Sequence, residues 1–238
     1  MLPFLLWNNR DGYPPFLTAP AAMNSPVSLR VPALRNLGLR DYLPVWRSMQ
    51  DFTAARTTAT SDEIWLTQHP PVYTLGLAGK PEHLLQANTG VPMVKTDRGG
   101  QITFHGPGQL VAYTLLDIKR RGLGVRALVR KLESAVIDLL AGYHIAAYAR
   151  ADAPGVYVTL PERGGTEAKI AALGLRVKNG CCYHGLALNI DMDLAPFLAI
   201  NPCGYAGLAV TQLRDLDVRA SVESVSGNLT QHLLRVLA

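Results

Sequence analysis

A cysteine and a lysine in this chain have the chemistry of a nucleophile and its partner cation. Cys203 stands in the run Asn-Pro-Cys-Gly, and Lys169 begins the upstream run Lys-Ile-Ala-Ala-Leu-Gly. A free thiol with a pKa of about 8.5 is mostly protonated at neutral pH, so a nucleophilic cysteine needs a cation beside it. A lysine can supply that cation and can also move the proton. The alternative is that Cys203 is a small buried hydrophobic residue, as most lone cysteines are.

Two further blocks combine polar side chains with bare backbone. Residues 98–105 read Arg-Gly-Gly-Gln-Ile-Thr-Phe-His and lead into Gly-Pro-Gly-Gln, and a second block begins at His184 with His-Gly-Leu-Ala-Leu-Asn. Glycines leave room for a ligand to approach the backbone closely, although they also occur in ordinary turns, and Arg98 could be a plain surface charge. The pattern of a nucleotide P-loop is missing from these blocks. They suit an acyl chain, which needs an apolar slot and a few polar groups near its carboxyl end.

The remaining histidines and cysteines have competing interpretations. His105 and His184 could each act as a general base, but a lone histidine is more often structural, and Lys169 already accounts for the proton. We therefore expect a positioning role for both. Cys181 and Cys182 are rival nucleophiles, and their adjacency is not the Cys-x-x-Cys spacing of a zinc site, so no metal site is predicted. Cys203 is preferred because a Pro-Cys-Gly turn can present its side chain at the end of an element.

These four blocks, in this order, resemble the lipoyl(octanoyl) transferases, from about Leu37 to Leu216. The resemblance implies transfer of an octanoyl group from acyl-carrier protein to a lysine of a lipoyl domain, with Cys203 as the acylated nucleophile and Lys169 as its partner. It implies no cofactor. The expected acceptors are the lipoyl domains of 2-oxoacid dehydrogenase complexes and the glycine cleavage H protein.

The resemblance also implies a set of substrate-binding residues. From the residues alone, the segments after Lys169 and His184 could equally be plain sheet packing. The chain departs from the family in a long N-terminus and in an expanded segment, 161–168, just before Lys169. The implied substrate-binding residues are Arg98, Gly99, Gly100, Gln101, Ile102, Thr103, Phe104, His105, Ala172, Leu173, Gly174, His184, Gly185, Leu186 and Ala187.

Three other functions are open at this stage. An ATP-dependent lipoate or biotin ligase of the same fold would use octanoate and ATP in place of the carrier thioester. A thiol hydrolase would release free acid instead of forming a stable adduct. A lipid-binding module without activity would keep its affinity when Cys203 becomes Ser.

Composition narrows the class of protein. The chain has 238 residues, of which 48% are hydrophobic and 17% charged, which is typical of a globular protein. A net charge of +5 with no long run of like charges is too weak to predict nucleic-acid binding, but would attract an acidic protein partner. Three cysteines do not indicate a disulfide framework, and no apolar run reaches the roughly 18 residues that span a bilayer. We expect a cytoplasmic monomer.

Hydrophobic periodicity predicts an α+β fold. A helix is expected after Asp41, another over 125–140, a short one over 194–200 and a closing helix over 222–237. Residues 101–105 and 109–116 are two β-type runs joined by a hairpin or a tight loop at Gly-Pro-Gly. The resemblance implies a large mixed sheet and a smaller sheet packed with helices, as in biotin and lipoate ligases. Residues 1–28 are predicted to be a loose extension, and 29–238 a single acyltransferase domain. The other predicted strands are 63–67, which ends at a turn containing His69, 91–96, 145–148, 155–160, 169–177 and 183–191, with a flexible turn over 161–166.

Overall fold

A computed structural model describes residues 31–86, 89–201 and 208–238. The expected extension over 1–28 and Cys203, the predicted nucleophile, lie outside these residues. The described α-helices are α1 (Tyr42–Ala54), α2 (Val125–Gly142) and α3 (Val222–Leu237). The described strands are β1 (Ala33–Leu39), β2 (Glu63–Gln68), β3 (Val72–Leu75), β4 (Met93–Lys95), β5 (Ile102–His105), β6 (Gln109–Asp117), β7 (Ala147–Ala149), β8 (Gly155–Leu160), β9 (Thr166–Lys178), β10 (Cys181–Asn189) and β11 (Ala209–Val210).

The strands form two sheets of different size. The large sheet has the order β1-β2-β6-β10-β9-β8-β7, with β11 paired to β9, and the small sheet has the order β4-β3-β5. The pairs β1–β2, β9–β11 and β3–β4 are parallel, whereas the other pairs are antiparallel. The α+β prediction, with a large mixed sheet and a smaller one, is therefore confirmed.

The central strand β10 is covered on both of its faces. Leu186 and Leu188 belong to a core that includes residues of α2 and α3, whereas Tyr183 and Ala187 pack in a separate core with Val45 of α1. Successive residues of a strand point to opposite faces, so one strand contributes to both cores. The alternation of Leu186 and Leu188 with Ala187 and Asn189 predicts a strand with one core face. That prediction is wrong, because both faces of β10 are buried.

The long helices follow the sequence pattern closely. Asp41 immediately precedes α1, and Pro44 lies in its first turn, where its missing N–H leaves no hydrogen bond unmade. In α2, Leu128 and Leu132 are fully buried, as expected for the apolar stripe of an amphipathic helix. The closing helix begins at Val222 and ends at Leu237, as predicted. The segment predicted as a short helix over 194–200 forms a 3-10 helix over Ala195–Ala199.

The Gly-Pro-Gly loop joins two sheets and is not a hairpin. Strand β5 pairs with β3 in the small sheet, and β6 pairs with β2 and β10 in the large one. Gly108 has a φ of +86°, and a Cβ on it would lie 1.8 Å from the carbonyl oxygen of Asp191. The glycine is needed because the crossing chain runs directly against the backbone that follows β10. The hairpin alternative is wrong, and the tight-loop alternative is confirmed.

Asp62, which immediately precedes β2, forms a buried cluster with arginines that follow α1 and β6. Asp62 is 3% exposed and accepts hydrogen bonds from Arg56, from Arg120 at 2.7 Å, from Arg121 at 2.6 Å and from the backbone N–H of Asp117 at 2.9 Å. Burial alone would raise the pKa of Asp62, but the Asp117 N–H and the Arg121 guanidinium hold it below its ordinary value.

Asp62→Asn should reduce the free energy of unfolding at pH 7 by about 3–5 kcal/mol, because it leaves buried guanidinium groups without a counter-ion. The folded-state pKa of Asp62 is depressed. Its contribution is therefore fully present above the unfolded pKa of about 3.9 and is lost as pH falls toward the folded value. Urea unfolding of parent and variant measures both effects when it is repeated between about pH 3 and pH 7, a range that includes the unfolded pKa.

Asp138→Asn is the matched control, since it removes the same charge from an exposed ion pair with Arg235. That change should cost at most about 1 kcal/mol. Equal losses for the two variants would contradict the role assigned to the Asp62 cluster.

Candidate active site

A cavity of about 70 Å³, partly open to solvent, lies between α1, the loop before β5, and strands β6, β9 and β10. Most of the implied substrate-binding residues, together with Lys169, surround it. Gly99 and Phe104 belong to the implied set but do not line the cavity. Phe104 packs between Tyr73 and Phe197 in the core of the small sheet. The predicted residues that line the cavity are Arg98, Gly100, Gln101, Ile102, Thr103, His105, Lys169, Ala172, Leu173, Gly174, His184, Gly185, Leu186 and Ala187.

Arg98 anchors the glycine-rich loop to the small sheet. Its guanidinium donates to the Thr74 hydroxyl at 3.0 Å, to the Thr74 carbonyl at 2.5 Å, and to the carbonyls of Gly99 at 2.9 Å and Gln101 at 2.6 Å. The side chain is buried, so the alternative of a surface charge is wrong. Because these bonds go to the protein's own backbone and hydroxyl, Arg98 fixes the shape of the loop that borders the cavity.

The glycines of the site bring backbone against backbone. A Cβ on Gly174 would lie 2.9 Å from the carbonyl oxygen of Gly99, and the Gly99 N–H donates to the Leu175 carbonyl at 2.9 Å. A Cβ on Gly185 would lie 1.9 Å from the Ala112 carbonyl oxygen. The loop therefore lies directly on β9, and β10 lies close to β6, which closes the cavity wall without side chains.

His105 is held at both ring nitrogens inside the protein. Its Nδ1 lies 2.6 Å from Oε1 of Gln109, its Nε2 lies 3.3 Å from the Thr74 hydroxyl, and its ring stacks on Tyr42 at 5.8 Å between centroids. Burial lowers the pKa of His105 to about 3. The ring is thus neutral at physiological pH and contributes shape and hydrogen bonding to the cavity.

His69, predicted to belong to a structural turn, is also buried close to this site. Its Nδ1 lies 2.6 Å from the Arg40 carbonyl and its Nε2 lies 2.7 Å from the Tyr113 hydroxyl. Burial lowers the pKa of His69 to about 4. Nδ1 must carry the hydrogen to reach a carbonyl, so Nε2 accepts from the tyrosine that lines the cavity.

His184 is oriented by a carboxylate that sequence reasoning missed. Its Nε2 donates to Asp97 Oδ1 at 2.9 Å, and Asp97 also accepts from Trp46 at 2.9 Å, from Gln50 at 3.2 Å and from the Tyr183 hydroxyl. Burial would raise the pKa of Asp97, but these four donors hold it well below its usual range. His184 has a φ of +62°, which is strained for a residue with a Cβ. The site thus fixes the ring orientation at a cost in backbone energy.

Lys169 is buried in the cavity wall. It is 4% exposed, its Nζ donates to the Pro154 carbonyl at 3.0 Å, and it lies 5.1 Å from the ring centroid of Tyr157. The segment before it, predicted to be expanded, begins as the turn of the β8–β9 hairpin and continues into β9. In the turn, a 3-10 helix over Pro161–Arg163 leads to Gly164 at a φ of +65°. Beyond the turn, Lys169 of β9 is paired with Tyr157 of β8.

The two rival cysteines lie on β10. Cys182 is buried, its Sγ lies 3.3 Å from the Thr114 carbonyl, and burial raises its pKa to about 12. Burial also raises the pKa of Cys181. Neither thiol lines the cavity, whereas Phe197 and Val210, on either side of the segment that contains Cys203, both do.

Several cavity residues gave no separate signal in the sequence. Gln109 and Asn189 end the two quoted blocks, and Gln109 Nε2 donates to Asn189 Oδ1 at 2.9 Å, so their motif positions could have revealed them. Aromatic residues on a helix or strand are indistinguishable from core residues by pattern. The lining residues outside the prediction are Tyr42, Gln109, Val111, Tyr113, Asn189, Phe197 and Val210.

Residues 31–86, 89–201 and 208–238 contain no group of three or more His, Cys, Asp or Glu residues arranged to hold a metal ion. Their helices include none with the length and apolar character needed to cross a membrane.

Solved structures share this fold at low sequence identity. A lipoate protein ligase of Thermoplasma acidophilum, solved with bound lipoic acid, has a TM-score of 0.68 at 14% identity, covering 87% of this chain and 86% of that one. A biotin protein ligase from Aquifex aeolicus in complex with biotin and ATP has a TM-score of 0.53 at 13% identity, covering 86% and 70%. At this level of identity the likeness concerns the fold.

Other relatives are much more similar to this chain in sequence. The family model for the lipoyl protein ligase A/B catalytic domain matches residues 41–234. An octanoyltransferase of Nitrosospira multiformis is 60% identical over 217 residues, covering 89% of this chain and 97% of the relative. One from Thiobacillus denitrificans is 61% identical over 204 residues, covering 86% and 90%. The chain therefore belongs to the lipoyl protein ligase A/B catalytic-domain family and, within it, to the octanoyltransferases, which are acyltransferases.

Proposed function

We propose that this octanoyltransferase takes its octanoyl group from octanoyl-acyl-carrier protein, holds it as a thioester on Cys203, and delivers it to a lysine ε-amine of a lipoyl domain. The main support is Lys169, a buried lysine that lines the cavity and that is the register partner, in β9, of Val210 in β11, the strand after the Cys203 segment. A cation at that position favours the thiolate form of a nearby cysteine.

The reaction has two acyl-transfer steps. The Cys203 thiolate attacks the thioester carbonyl and forms a new carbon–sulfur bond. The bond from the acyl carbon to the carrier sulfur breaks, and the Lys169 ammonium gives its proton to that sulfur, so the carrier leaves as a thiol and Lys169 becomes a neutral amine. The acceptor amine then attacks the acyl-cysteine, the carbon–sulfur bond to Cys203 breaks, and the amine proton passes to Lys169, which restores the thiolate and the ammonium. The first step exchanges one thioester for another and the second forms a more stable amide, so the cycle needs no nucleotide.

The cavity suits an uncharged acyl chain. Ile102, Leu173 and Leu186 contribute apolar side chains to its wall. The pKa of His105 is depressed to about 3, so this histidine is neutral, and the Arg98 guanidinium is engaged with backbone carbonyls. His105 is therefore neutral and Arg98 is turned toward the protein, so neither opposes the binding of an apolar chain.

The proposed partners follow from the same chemistry. Lipoyl domains of 2-oxoacid dehydrogenase complexes and the glycine cleavage H protein would offer the acceptor lysine. A net charge of +5 would favour encounter with an acidic carrier protein. A reducing cytoplasm would keep the Cys203 thiol available.

Intact-mass spectrometry tests the proposal. Incubation with octanoyl-acyl-carrier protein should add the mass of one octanoyl group to the enzyme, and a lipoyl domain should then remove it. Octanoate with ATP should give neither the adduct nor an acylated lipoyl domain. Acylation of the lipoyl domain from octanoate and ATP would instead indicate a ligase, and free octanoate without an adduct would indicate a hydrolase.

A further inference from the structure

We infer that Glu133, on α2, is a positioning residue that holds Lys169 in place as a cation through the peptide group between Pro154 and Gly155. The inference rests on the proposed function, because it concerns the cation assigned there to the thiolate. Glu133 does not line the cavity and would act through Lys169.

One peptide group connects the two side chains. The N–H of Gly155 donates to Glu133 Oε1 at 3.0 Å, and the carbonyl of Pro154 accepts from Lys169 Nζ at 3.0 Å. These two groups belong to the same amide, so a carboxylate binds its positive end and an ammonium its negative end. Each bond polarises the amide in the direction that strengthens the other.

Gly155 allows this arrangement because it has no side chain. Its φ is +148°, and a Cβ there would lie 2.5 Å from Lys169 Cε and 2.9 Å from Lys169 Nζ. The lysine side chain therefore packs directly on the glycine to which Glu133 is bonded. Any larger residue would displace the lysine from the Pro154 carbonyl.

Glu133 occupies a position where a charge is otherwise unfavourable. It is 5% exposed, and its neighbours Leu132 and Val136 lie in the core. A buried carboxylate is retained only when it is paired or hydrogen-bonded. Burial raises the pKa of Glu133, and the Gly155 N–H, Lys169 and Arg130 oppose that rise.

The charged and titratable groups around this pair come from several elements. Arg130 lies on α2 with Glu133, Lys169 lies on β9, and Tyr157 of β8 presents its ring to the Lys169 ammonium. Arg150 lies over the same ring at 5.5 Å from its centroid. Both arginines are cations, and Arg150 is paired with the carboxylates of Asp152 and Glu167, each at 2.6 Å. Glu133 is the carboxylate bonded to the amide that also binds Lys169.

Glu133→Gln separates charge from shape, since the amide oxygen still accepts from Gly155 while the charge is lost. We expect the rate of Cys203 alkylation at neutral pH to fall about tenfold, the equivalent of one pKa unit, and its pH profile to move upward. The value of kcat for octanoyl transfer should fall by a similar factor, with the KM for the carrier unchanged. Asp138→Asn, an exposed charge on the same helix, should change neither quantity.

The same change in a Lys169→Met background identifies the cause. If Glu133 acts through Lys169, Glu133→Gln should have no further effect on alkylation there. Should Glu133→Gln fold poorly alone, the unfolding midpoint provides the test. Lys169→Met leaves the buried Glu133 carboxylate bonded to the Gly155 N–H but without the nearby ammonium, and adding Glu133→Gln should raise the midpoint again.

Each outcome bears on one claim. If Lys169→Met slows alkylation but Glu133→Gln does not, or if the double variant is no more stable than Lys169→Met, the inference about Glu133 is wrong and the proposed function stands. If Lys169→Met leaves alkylation unchanged, the proposed role of Lys169 itself is wrong.

Discussion

Cys203→Ala is expected to abolish the octanoyl adduct and to reduce transfer to a lipoyl domain by about 10³-fold or more, as loss of a covalent nucleophile does in other enzymes. The other thiols cannot replace it. Burial raises the pKa of Cys182 to about 12, and its Sγ lies 3.3 Å from the Thr114 carbonyl. Burial raises the pKa of Cys181 as well. A thiol with a raised pKa supplies little thiolate at neutral pH.

The matched control replaces both Cys181 and Cys182 with alanine in one variant. It should retain the adduct in intact-mass analysis after incubation with octanoyl-acyl-carrier protein. Some loss of stability is expected, because Cys182 is buried in the main core and its truncation leaves a small cavity. Peptide mapping that located the octanoyl group on Cys181 or Cys182 would overturn the assignment of Cys203.

Strong local periodicity was sufficient to predict the elements that frame the site. The apolar stripe of α2 and the closing helix α3 were predicted within a few residues, because their patterns extend over four or more turns. Strand β8 was predicted with the bounds that the structure shows. The strands β1, β3 and β11 were missed because none shows an alternation of buried and exposed residues: β1 is almost wholly exposed, β3 is buried throughout, and β11 has only two residues.

The arrangement of the site depends on contacts between distant residues, which a local pattern cannot show. Strands β5 and β6 are separated by three residues and yet belong to different sheets, because the loop between them packs on Asp191. Asp97 was missed as the partner of His184 since a single aspartate beside an arginine reads as a surface charge. Glu133 was missed because a single glutamate in an amphipathic helix cannot be distinguished by pattern from the residues of the exposed polar face.

Lys169→Met should slow the alkylation of Cys203 at neutral pH and restore it as pH rises, because the thiol would then behave like a free one with a pKa of about 8.5. The structure gives a reason to choose Met. An unbranched apolar chain can follow the path of the lysine past Gly155 and over the Tyr157 ring, so the site keeps its packing and loses the ammonium. Alkylation rates measured between about pH 6 and pH 10, across the free-thiol value, give the titration of the thiol directly.

Lys169→Arg tests the second role proposed for the lysine, which is to accept the proton of the incoming amine. A guanidinium remains a cation at working pH and cannot accept a proton from the incoming amine. The variant should therefore keep partial alkylation and acyl loading, yet transfer the octanoyl group poorly to the lipoyl-domain lysine. The larger head group must fit beside the Pro154 carbonyl, which accounts for loading being partial. Single-turnover loading and transfer, measured separately by intact mass, distinguish the two steps.

An Arg variant that transfers as fast as it loads would show that Lys169 is not the proton acceptor. A Met variant with an unchanged alkylation profile would show that it is not the partner of the thiolate.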